Sequence, residues 1–151
     1  MAETWAAFYP SVQPLSQLGS HPIFPGTLGP SIEQLTMFAD YRVPQILHHM
    51  RILTYPPTLV RMLCQGTPLE HGSREEVSIR SASIVAVERI REEMLRIVNE
   101  NGDEGKLHIN SALIDFYLWD SAKCLEDGEE LTLGVDTDDI VPMHRTRSIW
   151  Y

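Results

Sequence analysis

Ser73-Arg74-Glu75-Glu76 opens the longest periodic stretch of this chain. A serine followed three residues later by a glutamate is a capping-box pattern, in which the side chains satisfy the first backbone N–H groups of a helix. From there Ile79, Ala86, Ile90, Met94 and Ile97 recur at helical spacing. Arg89/Glu93 and Glu92/Arg96 make i,i+4 pairs on the opposite, wet side. Asn101-Gly102 ends the run. The spacing predicts a helix over Arg74–Asn99, and one element of that length pushes a chain of 151 residues towards a mainly α fold.

Shorter helices flank it. Pro44 suits a first helical turn, where its missing N–H costs nothing. Ile46, Leu47, Met50 and Leu53 then form one apolar stripe, so a helix is predicted over Pro44–Leu53. Tyr55-Pro56-Pro57 breaks it. Pro57 starts a second helix to Gln65, with Leu59, Val60 and Leu63 inward and Gly66 as its stop. Asn110 or Ser111 caps a further helix running from Ser111 to Lys123. On this reading the acids of that helix cap or solvate it, and Leu113, Phe116, Tyr117 and Trp119 are core.

Elsewhere the signals are weaker. Trp5, Phe8 and Tyr9 stand at i, i+3 and i+4, so Thr4–Tyr9 reads as a helix end stopped by Pro10. Residues 10–30 are rich in Pro, Gly and Ser and read as an irregular connection. Residues 126–139 form an acidic surface excursion with a β-like interruption at Leu131–Val135.

Composition excludes some functions. No apolar run approaches the ~20 residues of a membrane span. Met1-Ala2-Glu3-Thr4-Trp5 has an early acid and no basic n-region, which argues against secretion. Cys64 and Cys124 lie in unrelated segments and read as thiols of a reducing compartment. The expected location is therefore cytoplasmic, the nucleus included. A formal net charge of −9 disfavours duplex nucleic acid as partner, because displacing counterions from phosphates needs an excess of Lys and Arg. A small monophosphate needs only a local cluster of donors.

Candidate chemistry falls in three places. Asp40 lies between Phe38 and Tyr41, next to Arg42, just ahead of a helix start. Spacing leaves two readings of it: a helix cap, the common use of aspartate there, or an acid whose half-buried surroundings tune its ionisation towards a ligand. Asp115 and Trp119 are i,i+4 and share a helix face, with Asp120 one position round. Beside the core reading stands a pocket wall, with Trp119 stacked on a planar base and Asp115 accepting its N–H groups. His144, Arg145 and Arg147 form one small basic cluster, either a solvated tail or a phosphate contact. His48 and His49 are adjacent and point to different helix faces, and no histidine or cysteine spacing suits a metal.

Four segments go further: Thr36–Gln45 around Met-Phe-Ala-Asp-Tyr-Arg-Val-Pro-Gln, Glu75–Arg80 (Glu-Glu-Val-Ser-Ile-Arg), Ile109–Asp120 (Ile-Asn-Ser-Ala-Leu-Ile-Asp-Phe-Tyr-Leu-Trp-Asp), and His144–Tyr151 (His-Arg-Thr-Arg-Ser-Ile-Trp-Tyr). They resemble the C-terminal half of the queuosine salvage protein family, the queuosine 5′-phosphate N-glycosylases, and the resemblance runs from Ala2 to Tyr151. It implies a helical domain similar to the helix–hairpin–helix DNA glycosylases. The implied activity is hydrolysis of the N-glycosidic bond of queuosine 5′-monophosphate, with release of queuine for tRNA modification and without metal or cofactor. On this resemblance Asp40 matches the catalytic aspartate, and Asp115 and Trp119 match positions lining the base pocket. Phe38, Tyr41, Arg42, Asp120, His144 and Arg145 join them as candidate substrate contacts.

Relative to that family, Ser11–Gly29 and Glu126–Asp139 look like insertions. Members also carry about as much chain again ahead of Ala2, including a lysine that serves the active site. The expectation is an incomplete domain with one apolar side uncovered, weakly stable and slow by itself. A non-catalytic nucleotide-binding or regulatory module is the competing function.

Overall fold

The computed structural model describes residues 35–102, 108–128 and 134–147. Thr4–Tyr9, the connection 10–30 and Leu131–Leu133 fall outside the described residues. Within them are four helices: α1 Arg42–His49, α2 Pro57–Cys64, α3 Arg74–Glu100 and α4 Ser111–Glu126. The mainly α expectation holds. Extended pairing among the described residues is limited to one isolated parallel bridge between Leu69 and Thr146.

Each helix has a legible cause. The Ser73 hydroxyl accepts the Glu76 amide at 3.3 Å. The Glu76 carboxylate reaches past the usual capping-box partner and accepts the Gly72 amide at 2.6 Å. Asn110, not Ser111, caps α4 by accepting the Leu113 amide at 2.9 Å. Pro57 opens α2 as predicted, and Gly66 follows its end with φ +67°, a conformation glycine adopts without strain. α1 starts two residues before Pro44 and ends four before Leu53. It starts early because Asp40 caps Arg42 and Val43. It stops early because Arg51 turns to φ +60°, outside the helical region.

The core has two parts. Met37, Val43, Ile46, Leu47, Ala86, Val87, Ile114, Leu118 and Ala122 join α1, α3 and α4. Leu59, Leu63, Leu69 and Ile79 form a smaller cluster beneath α2, with Tyr55, Met62 and Val141 against it.

Two expectations about faces fail. On α4 the buried residues are Ser111, Ala112, Ile114, Leu118, Ser121 and Ala122, while Leu113, Phe116 and Tyr117 are about half exposed or more, at 49, 57 and 61%. Small side chains let this face approach its neighbours, and the aromatic face turns outward. On α3, Ile79 and Ala86 are buried but Met94 and Ile97 are exposed, because every buried residue lies between Glu76 and Val87. The ion pairs there also differ from the predicted ones: Arg96 pairs with Glu93 and Glu100, and Arg91 with Glu88.

Residues 134–139 are exposed, in keeping with a surface excursion. Its end is clipped to α1. The Asp138 amide donates to the His49 carbonyl at 2.8 Å, and Arg51 Nε meets Asp138 Oδ1 at 2.6 Å.

Candidate functional site

Met37–Arg42 crosses the junction of α1, α3 and α4, and each helix holds it at a different atom. From α4, Asp115 Oδ2 accepts the Phe38 amide at 2.9 Å. From α3, Arg80 Nη1 donates to the Ala39 carbonyl. At the start of α1, Asp40 Oδ1 accepts the amides of Arg42 and Val43, each at 2.9 Å. Asp40 is therefore a helix cap, as one reading of the sequence had it.

Capping does not exhaust Asp40. It is buried, and burial pushes its carboxyl above the usual carboxylate range, against the opposing pull of the Val43 and Arg42 amides and the charges of Arg42 and Arg80. Both amide bonds fall on Oδ1.

Beside this segment opens a cavity of about 620 Å³, lined by Tyr41, Arg42, Pro68, Arg80, Glu126 and the run Met143–Arg147. Four arginines face one concavity in a chain that is acidic overall. Three buried polar atoms in its walls have no hydrogen-bond partner among the described residues: Arg42 Nε, His144 Nε2 and Thr146 Oγ1. Unpaired buried polar atoms are costly in folded proteins, and here they cluster.

Arg42 organises one wall. Its Nη1 meets Glu126 Oε2 at 2.5 Å, and its guanidinium lies 5.4 Å over the Trp119 ring and 5.7 Å from that of Tyr41. Lys123 also approaches Trp119, at 5.7 Å. The cavity lining also includes His144, only 4% exposed. Burial lowers its imidazole to about 4; the nearby Arg80 charge adds to that and Glu76 opposes it. His144 is thus a neutral donor or acceptor near pH 7, not a cation.

This has a measurable sign. Below its ordinary value of 6.5 the unfolded chain binds a proton that the folded chain refuses until about 4. Stability should therefore fall as pH drops from 6.5 to about 4, by up to about 3 kcal/mol, and the loss from this group should be absent above pH 7. Urea midpoints at both ends of that window, for the native chain and His144→Gln, check it. The substitution should flatten the profile.

Of the sequence candidates, Tyr41, Arg42, His144 and Arg145 line the cavity. Asp40, Asp115 and Trp119 do not, although each touches the segment or side chain that forms its wall. Phe38 is 55% exposed, and Asp120 is exposed on α4. Arg80, Glu126, Thr146 and Arg147 also line the cavity. Arg80 belongs to one of the conspicuous motifs and Arg147 to the basic cluster, so both had a signal. Glu126 had none, since only tertiary packing brings it to Arg42. Among the described residues, no group of three His, Cys, Asp or Glu side chains could hold a metal ion, and no helix is long and apolar enough to cross a membrane.

Comparison with known proteins gives this geometry a family. A family profile described as queuosine salvage protein matches residues 1–151. The chain is similar to the queuosine 5′-phosphate N-glycosylase/hydrolase of Mus musculus, 42% identical over 120 residues that make up 80% of this chain and 32% of the relative. It is 35% identical to the protein of the same name from Schizosaccharomyces pombe, over 100% of this chain and 37% of the relative. With that of Nematostella vectensis it shares 36% identity, over 81% of this chain and 34% of the relative. The chain thus spans about a third of the length of these curated relatives.

Proposed function

The chain belongs to the queuosine salvage protein family, and we propose that it carries the catalytic aspartate and the phosphate-binding wall of an N-glycosidic hydrolase acting on queuosine 5′-phosphate. The observation that carries this reading is the cavity beside Asp40, with its four arginines and three buried polar atoms that have no partner among the described residues. A phosphate monoester supplies several acceptor oxygens, and arginine forks match that geometry.

In this reading the Asp40 carboxylate faces the sugar. Cleavage of the C1′–N bond passes through a cationic sugar, which a nearby carboxylate stabilises. Water adds its oxygen to C1′ and gives up a proton, with Asp40 as orienting group or base. The bonding pair leaves with the base, queuine, which takes up a proton. Asp115 and Trp119 take the base side, where the aromatic ring shares its face with Arg42 and Lys123. His144, Arg145 and Arg147 take the phosphate side. The reaction acts on a small nucleotide.

Phosphate dependence tests this directly. Queuosine 5′-phosphate and dephosphorylated queuosine are titrated separately into the chain, with tryptophan emission or heat as readout. The nucleotide should bind more tightly. Arg145→Ala combined with Arg147→Ala should weaken nucleotide binding by about 10²–10⁴-fold, given ~1.5–3 kcal/mol for each of two charged hydrogen bonds, and leave the nucleoside unaffected. Equal losses for both ligands would refute the phosphate assignment. Chromatography of the same mixtures for free base separates hydrolysis from binding alone.

A further inference from the structure

Glu76 and Arg80 form a charged pair one turn apart on α3, with Arg80 Nε 2.8 Å from Glu76 Oε1. The Glu76 side chain is 4% exposed. The Arg80 side chain is 20% exposed. Burying a charge such as that of Glu76 costs several kcal/mol, and apolar packing of similar volume often stabilises a fold as well or better. A pair kept under those conditions invites a role beyond stability.

Its hydrogen bonds point to one. The other Glu76 oxygen accepts the Gly72 amide at 2.6 Å, so the carboxylate is fixed from the backbone ahead of α3. His71 Nδ1 lies 3.7 Å from that same oxygen. The Gly72 amide and the Arg80 guanidinium outweigh the effect of burial and hold the Glu76 carboxyl below its usual range. Arg80, fixed in turn by Glu76, spends another N–H on the Ala39 carbonyl. That carbonyl belongs to the peptide that joins Ala39 to Asp40. The sequence is continuous: backbone of Gly72, Glu76, Arg80, peptide of Asp40.

We propose that Glu76 and Arg80 are positioning residues, which hold the Ala39–Asp40 peptide and so aim the Asp40 carboxylate at the sugar. This rests on the catalytic reading of Asp40 given above. Without Arg80, the Asp40 side chain keeps its two amide bonds to α1 but loses the tether on its own backbone. Among the described residues, the charged groups around Asp40 are Arg42 from α1, Arg80 from α3 and, on the Phe38 amide, Asp115 from α4.

The experiment uses residues 1–151 and three variants: Arg80→Met, Arg80→Lys and Glu76→Gln. Amide hydrogen exchange is read at residues 38–43, with the core amides of α4 as internal reference. Base release from queuosine 5′-phosphate is followed alongside. Arg80→Met should speed exchange at 38–43 by about tenfold or more and leave α4 unchanged. It should lower kcat by on the order of 100-fold, as expected for a displaced catalytic group, with KM nearly constant. The acid limb of its pH profile should move up as Asp40 loses a facing cation. Arg80→Lys keeps the charge but not the fork, so its acid limb should stay while kcat falls. Glu76→Gln should show a smaller increase in exchange at 38–43.

Unchanged exchange at 38–43 in Arg80→Met would overturn the proposal. So would a loss confined to KM, which would make Arg80 a ligand contact. If Arg80→Met does not fold, Arg80→Lys and Glu76→Gln decide by the same exchange readout. If the unsubstituted chain releases no base, the hydrolase reading fails for this polypeptide, and the exchange data still decide whether the pair holds the segment.

Discussion

Asp40→Asn should leave α1 in place and abolish base release. The amide oxygen of asparagine can still accept the Arg42 and Val43 amides that Asp40 Oδ1 accepts now, so the helix start survives. The negative charge does not survive. A preorganised group that faces developing charge is worth on the order of 10²–10³ in turnover, so kcat should fall by at least about that factor while nucleotide binding stays within about twofold of native. Asp40→Ala separates the two roles. It should lose activity to the same extent and also lose ~1 kcal/mol of stability, the usual cost of removing a cap. Single-turnover base release and urea unfolding on both variants make the check. Full turnover by Asp40→Asn would remove Asp40 from the chemistry and leave it a cap. Base release by the native chain should show an acid limb above the ordinary carboxylate range, because burial raises the Asp40 carboxyl.

The largest expected loss of stability is at Leu47. It is fully buried in the cluster whose members come from α1, α3 and α4. Leu→Ala at such a site costs ~2–5 kcal/mol, part from lost transfer and part from the residual cavity. That is a large share of the ~5–15 kcal/mol that holds a typical domain together. Leu47→Ala should therefore lower the urea midpoint strongly or leave the chain unfolded. Val60→Ala, half-buried on α2 outside that cluster, should cost much less. A small effect at Leu47 would mean that the three helices are held together elsewhere.

The helices were legible because their signals are local. A capping serine, a proline at a first turn and a 3.6-residue apolar period act within a few residues of where they are read. The misread features depend on what lies opposite. On α4 the aromatics were the natural core candidates by size, yet Ser111, Ala112, Ser121 and Ala122 carry much of the buried face. A helix that must come close to its neighbours buries small residues, and size alone does not reveal that. The α1 boundary shifted for a similar reason. Pro44 signals a first turn, but the Asp40 carboxylate makes an earlier start better.

At the site, Tyr41, Arg42, His144 and Arg145 stood out in the sequence and meet at one cavity. Asp40 was visible as an acid at a helix start, but its burial was not. Arg80 stood in a conspicuous motif without a role, because its partner Ala39 is 41 residues away in the chain. Contacts of that range leave no periodic trace.

The acidic excursion after α4 is tied down at both margins. Glu126 grips Arg42 at the first residue of α1, and Asp138 grips His49 and Arg51 at its other end. An eight-residue helix is only ~12 Å long. The eleven intervening residues, 127–137, could reach about three times that distance if extended. Added length between two anchored margins is entropically cheap, since doubling a loop costs only ~0.6 kcal/mol. Residues 127–137 are thus a natural place to graft a peptide epitope or a reporter module without disturbing α1 or the cavity beside it.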